Sequence, residues 1–142
     1  MLSEAGIQLG TDFSVELSHH YGIERFSEVG AFIVDIVNRE YCKKLIVILP
    51  GQRHPIHRHK KKEETFQVLH GEMNVTLNDI PFSLKAGDKV RVERGTWHSF
   101  ESKDGAIFEE VSTTHVIGDS YYVDPAISRL DPIQRKTVVD AW

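Results

Sequence analysis

The sequence predicts an all-β fold, a sandwich or a barrel, on three observations. Apolar, β-branched runs recur at roughly ten-residue spacing. Each run is bounded by Gly, Asn, Asp or Pro. No long helical pattern alternates with these runs, which argues against a doubly wound α/β fold.

The elements follow in chain order. Phe13, Val15 and Leu17 alternate with polar residues and predict a short first strand, a segment suited to exchange with a second subunit. His19 and His20 are adjacent, so on a strand they point to opposite faces and chelate poorly; they read as surface or packing residues. AFIVDIV (31–37) and KLIVILP (44–50) are near-continuous apolar runs, which implies strands covered on both faces, with NREYCK as the turn between them. Residues 65–77 read as strand, Gly71-Glu72 turn, strand. Asn78-Asp79 marks a second turn before IPFSL, and Lys85-Ala86-Gly87-Asp88 a third before DKVRVE. Arg94-Gly95 turns the chain into WHSF, and AIFEEVSTTHVI closes the sheet. Beyond Gly118, Asp124-Pro125 is a helix-start signal, predicting a short helix and an extended arm packed on the barrel.

Length and composition bound the function. A chain of 142 residues suits one domain, here 1–142 with a core over about 30–116, and buries about 70% of its unfolded surface without disulfide staples. The single cysteine, Cys42, forms no internal disulfide, which favours a reducing compartment. The N-terminus lacks a basic region followed by an apolar run, and no run approaches the roughly 20 residues of a membrane span. The expectation is a cytoplasmic protein without a membrane segment. A net charge of −4 gives no basic field for nucleic acid. Lys60, Lys61 and Lys62 form the one basic cluster, read either as a solvated turn or as a pocket-mouth lysine that attracts an anionic substrate.

The chemistry concentrates between Gly51 and Gly71, GQRHPIHRHKKKEETFQVLHG. On a strand His57 and His59 project to the same face, close enough to share one ion. A turn through 60–63 would return Glu64 on a neighbouring strand as a third ligand, and His98 is a candidate fourth. Neutral imidazoles with one carboxylate suit Mn, Fe, Co, Ni or Zn, one divalent ion with open positions for water or substrate. Strand parity from Glu64 places Phe66, Val68 and His70 on the ligand face, and parity from His98 adds Phe100. His54 lies in the approach, as a pocket residue or a loop histidine. Of Glu109 and Glu110, parity puts one inside, a candidate general acid or base. His115, Tyr121 and Tyr122 are candidates for the mouth.

This stretch and GDKVRVERGTWHSF, from Gly87 to Phe100, resemble the two cupin motifs. Gly51, His57, His59, Glu64 and Gly71 match the first without a gap. Gly87, Gly95 and His98 match the second, with Glu93 where proline is usual and Ser102 where asparagine is usual. The resemblance implies a jelly-roll barrel (a double-stranded β-helix), a three-His, one-Glu metal site and commonly a homodimer. HRHKKKEETFQVLHGE, FEEVSTTH and GDSYY are similar to compact cupins associated with sialic-acid-synthase-like proteins, and more distantly to D-lyxose-isomerase-type cupins. That points to isomerase or epimerase chemistry on a small sugar or sugar acid. The alternatives are an iron-dependent dioxygenase, which consumes oxygen, and a metabolite-binding module without turnover.

Overall fold

The computed structural model describes residues 1–139. Eleven strands follow one another: β1 (Ser14–Ser18), β2 (Ala31–Asn38), β3 (Tyr41–Ile48), β4 (Arg53–Arg58), β5 (Glu64–Leu77), β6 (Ile80–Lys85), β7 (Lys89–Val92), β8 (His98–Glu101), β9 (Ala106–Thr113), β10 (Tyr121–Tyr122) and β11 (Lys136–Val139). A single turn of helix, α1 (Pro125–Ser128), lies between the last two. Neighbouring strands pair antiparallel, and the sheet curls into two facing halves. One half runs β7-β5-β9-β3-β2-β1-β11 and the other β6-β5-β8-β4-β10. This is an all-β jelly roll.

The expected turn at Gly71-Glu72 is instead part of one long strand. β5 pairs with β9 up to Gly71 and with β6 and β8 beyond it, so the chain passes from one half to the other without breaking. Gly71 has φ 79°, and a Cβ there would meet the Gly105 carbonyl oxygen at 2.4 Å. A glycine is therefore needed for the crossing itself, both for its dihedral and for the close approach.

Between the halves lies an apolar layer including Ile46, Ile48, Phe66, Val68, Met73, Val75, Phe100 and Phe108. Each such side chain fully withdrawn from water contributes about 1.5–3 kcal/mol. A second cluster, Val15, Val34 and Leu45, lies on the outer face of the larger half under Ile7, Leu9 and Phe13. That cover accounts for the two-sided apolarity of β2 and β3. β1 pairs with β2 and β11 of its own chain. Asp124 caps α1 by accepting from the Ala126 amide at 2.9 Å, and fully buried Ile127 anchors the tail. Among the described residues, no helix is long and apolar enough to cross a membrane.

Candidate metal centre and cavity

An interior cavity of about 110 Å³ opens between the halves, with the apolar layer as its floor. Phe66, Phe100 and Phe108 pack there with ring centroids 4.9–6.0 Å apart. Above them sit His57, His59 and His98, each buried, with one ring nitrogen from each lying within 4.8 Å of the others. His57 and His98 are cross-strand partners on β4 and β8. Glu64 comes from the opposite half rather than from a strand beside β4. Its carboxylate stands 3.4 Å from His59 Nε2 and 3.2 Å from His98 Nε2.

The hydrogen bonds set the imidazole tautomers. Nδ1 of His57, His59 and His98 faces the backbone carbonyls of Pro55, Asp119 and Thr96 at 3.0, 3.0 and 2.9 Å. A carbonyl only accepts, so each Nδ1 donates, and in the neutral ring the lone pair is then on Nε2. Burial, then the neighbouring imidazoles, holds His57 well below its ordinary pKa, in the neutral form a metal requires. Glu64 Oε2 and His98 Nε2 are buried acceptors without a hydrogen-bond partner, facing one another. Two lone pairs in that position call for a cation between them, so this donor set fits a divalent transition metal.

The basic cluster divides. Lys60 lies over the Tyr121 ring, 4.3 Å from its centroid. Lys62 is buried, 2.9 Å from Glu64 Oε1, 3.3 Å from Glu110 Oε2 and 3.2 Å from His115 Nδ1. Burial alone would discharge Lys62, but Glu110 and Glu64 hold its pKa above the ordinary value. Burial also acts to raise Glu64, and the Lys62 charge outweighs it, leaving Glu64 well below the ordinary range. Glu110 is raised by burial and by the Glu64 charge, against Lys62 and Lys44. Asp119 holds this loop in place: its carboxylate accepts from the amides of Lys60, Lys61 and Lys62 at 3.0–3.2 Å.

Of the two glutamates on β9, Glu110 faces the cavity and Glu109 pairs with Lys43 on the outer face. His54, Phe66 and Phe100 line the cavity; His70 does not. Two irregularities explain where parity misleads. Between Val68 and His70 the β5–β9 register shifts, setting two residues against one: Val68 faces Phe108, and His70 faces Ile107 on the other side of the sheet. A similar shift between His54 and His57 brings residues three apart onto one face, so His54 is a strand residue stacked on Phe100 at 4.7 Å. His20 is buried beside His54, with ring centroids 4.4 Å apart, and bonds the Tyr122 hydroxyl at 3.0 Å. Glu16, Lys44, Arg135 and Lys136 also line the cavity. Inward parity with Ile46 and Ile48 was the available signal for Lys44; nothing local marked Asp119.

Glu16, buried, and Asp35, half-buried, form a carboxyl pair beside Lys44 and Lys136. Burial and then the bond to Glu16 raise Asp35 to about 7. Burial opposes the bonds to Asp35 and Lys136 that lower Glu16 to about 2. Asp35 thus contributes stability below its unfolded pKa that is lost as pH rises through 7, whereas the Glu16 contribution is lost as pH falls through 2. Asp35→Asn keeps a donor to Glu16. It is expected to remove a loss of about 2–3 kcal/mol between pH 5 and 8. Thermal melts across that window check this: the wild-type Tm falls and the variant's stays level.

Comparison with known proteins agrees with this architecture. The cupin domain family matches residues 44–113. D-lyxose ketol-isomerase of Thermofilum sp. is 26% identical over 151 residues, spanning 87% of this chain and 80% of its own length. D-lyxose/D-mannose isomerase of Thermosediminibacter oceani is 26% identical over 143 residues, spanning 80% and 79%. The structure of Cellulomonas parahominis L-ribose isomerase with L-ribose superposes with a TM-score of 0.76 at 16% identity, covering 94% of this chain and 90% of that one. The domain match, the jelly roll and both histidine motifs together make this chain a member of the cupin superfamily.

Proposed function

We propose that the chain is a metal-dependent isomerase that interconverts the aldose and ketose forms of a small sugar. The observation that carries this reading is the Lys62 bridge between Glu64, at the metal set, and Glu110, in the cavity. Aldose–ketose conversion needs a polarised carbonyl, a group that moves a proton between adjacent carbons, and donors for the oxygens that carry charge. His57, His59, His98 and Glu64 would hold one divalent ion, which when bound supplies Lewis-acid polarisation of the sugar oxygens. Glu110 takes the proton from one carbon of the enediol pair and returns it to the other, while the hydroxyl proton of the second carbon passes to the former carbonyl oxygen. Lys62 keeps Glu110 oriented and places its positive charge beside the developing oxyanion. The aromatic floor and the surrounding histidines exclude water from the exchanged proton. The relatives named as D-lyxose, D-mannose and L-ribose isomerases support the substrate class.

The test is an anaerobic incubation of protein loaded separately with Mn, Co, Ni, Zn or Fe, with D-lyxose, D-mannose and L-ribose, followed by chromatography for the matching ketose. Ketose formation in at least one metal form is expected. Oxygen uptake with iron and no ketose would assign the site to a dioxygenase. Sugar binding without turnover in every metal form would make it a binding module.

A further inference from the structure

A polar belt crosses the inner face of the larger half. From Glu110 on β9 it continues in register to Lys44 on β3 and Asp35 on β2. Lys44 is anomalous on this belt. It shares the inward face of β3 with Ile46 and Ile48, is 6% exposed and lines the cavity. An ammonium has three donors, and leaving them unused in a buried position is costly. Yet the one ion pair of Lys44 is to Asp35 at 3.4 Å, beyond good hydrogen-bond distance.

The other cavity cations are committed. Lys62 has two carboxylates and His115, and Lys136 is 2.6 Å from Glu16. Arg135 donates to the carbonyls of Ile127, Ser120, Ser128 and Leu130. Lys44 is thus the buried cavity lysine, among the described residues, whose ion pair is longer than a good hydrogen bond. Its position relative to the reacting end is set by the sheet. Glu64 lies on β5, Glu110 on β9 and Lys44 on β3, and two strand spacings amount to roughly 10 Å of backbone. A sugar whose carbonyl end lies at Glu64 and whose exchanged proton lies at Glu110 has the rest of its chain directed towards Lys44.

We propose that Lys44 is a specificity-determining residue that donates to the oxygen at the end of the sugar farthest from the carbonyl. The substrate class is narrowed to polyhydroxy aldehydes and ketones that carry a terminal oxygen, with terminally deoxygenated sugars rejected. This inference rests on the isomerase reading above.

The experiment measures calorimetric affinity of the metal-loaded full chain for whichever of D-lyxose and L-ribose binds more tightly, and for its 5-deoxy counterpart. The wild type is expected to prefer the parent sugar by about tenfold or more, the worth of a hydrogen bond to a charged donor. Lys44→Met, with Lys44→Gln as the second variant should the first fail to fold, is expected to bring the two affinities within about threefold. A lysine that only neutralised Asp35 would weaken both sugars alike and leave their ratio unchanged. Equal affinities in the wild type, or the full preference retained in a folded variant, overturn the subsite while leaving the isomerase reading in place. No binding of either sugar by the metal-loaded wild type overturns both.

Discussion

Glu110→Gln is expected to lower kcat for sugar isomerisation by about 10²–10⁴-fold while metal content and KM change little, the size of effect that removing a general acid–base group produces. The substitution is nearly isosteric and exchanges one buried group for another of the same shape. The amide still offers Lys62 an oxygen, so the bridge that stands at 3.3 Å in the wild type keeps its acceptor. What is lost is the ability to take up and release a proton. Glu110 is suited to that task because burial and the Glu64 charge raise its pKa, while Lys62 and Lys44 keep the carboxylate from being wholly suppressed. Glu109→Gln is the internal comparison. It sits one residue away, on the outer face beside Lys43, and its replacement is expected to leave kcat within about twofold, as for a surface ion pair. Metal stoichiometry measured on the same samples separates loss of chemistry from loss of the ion. Wild-type kcat in Glu110→Gln would remove this residue from the reaction.

Much of this arrangement was legible in the chain because strands have a period of two. His57, His59, Glu64, Phe66 and Phe100 line the cavity, and His98 joins the histidine cluster beside it, as simple alternation requires. Alternation also limited Glu109-Glu110 to one inward residue, though not which one, since that depends on register with β3 and β5. The failures fall where the period is interrupted. His70 was expected on the ligand face, but the shift after Val68 turns it to the other side of the sheet. His54 gained its inward position through the corresponding shift on β4. A β-bulge changes pairing by one residue and leaves little trace in composition.

Long-range partners were the other blind spot. The polar loop 60–62 reads locally as a solvated turn, and only Asp119, distant in sequence, shows why Lys62 is turned inward. Lys44 is a further case, since a lysine at the start of KLIVILP looks like the polar end of a strand. Its inward direction follows from Ile46 and Ile48, but the cavity it faces is completed by residues of β1 and β11, Glu16 and Lys136.

His98→Ala, and separately His57→Ala, is expected to reduce bound metal from about one ion per chain to below about one tenth, with the barrel still folded. Three imidazoles and a carboxylate bind one ion with a free energy that a three-donor remnant does not supply, and rearrangement is blocked because every Nδ1 is tied to a carbonyl. The fold should survive because the apolar layer beneath is untouched. In metal-free protein, removing His98 also relieves the unpaired Nε2 from its 3.2 Å approach to Glu64, which offsets part of the cavity left by the ring. Elemental analysis and paired thermal melts, with metal and with chelator, test this. A metal held a thousandfold above its dissociation constant stabilises by about 4 kcal/mol, so the wild type should show a large metal-dependent rise in Tm and the variants none. His70→Ala should retain both the ion and the rise, since that ring lies outside the cavity. Full metal content in both His57→Ala and His98→Ala would refute the centre. Loss of metal together with loss of the far-UV β signal would show that these histidines hold the barrel together rather than an ion.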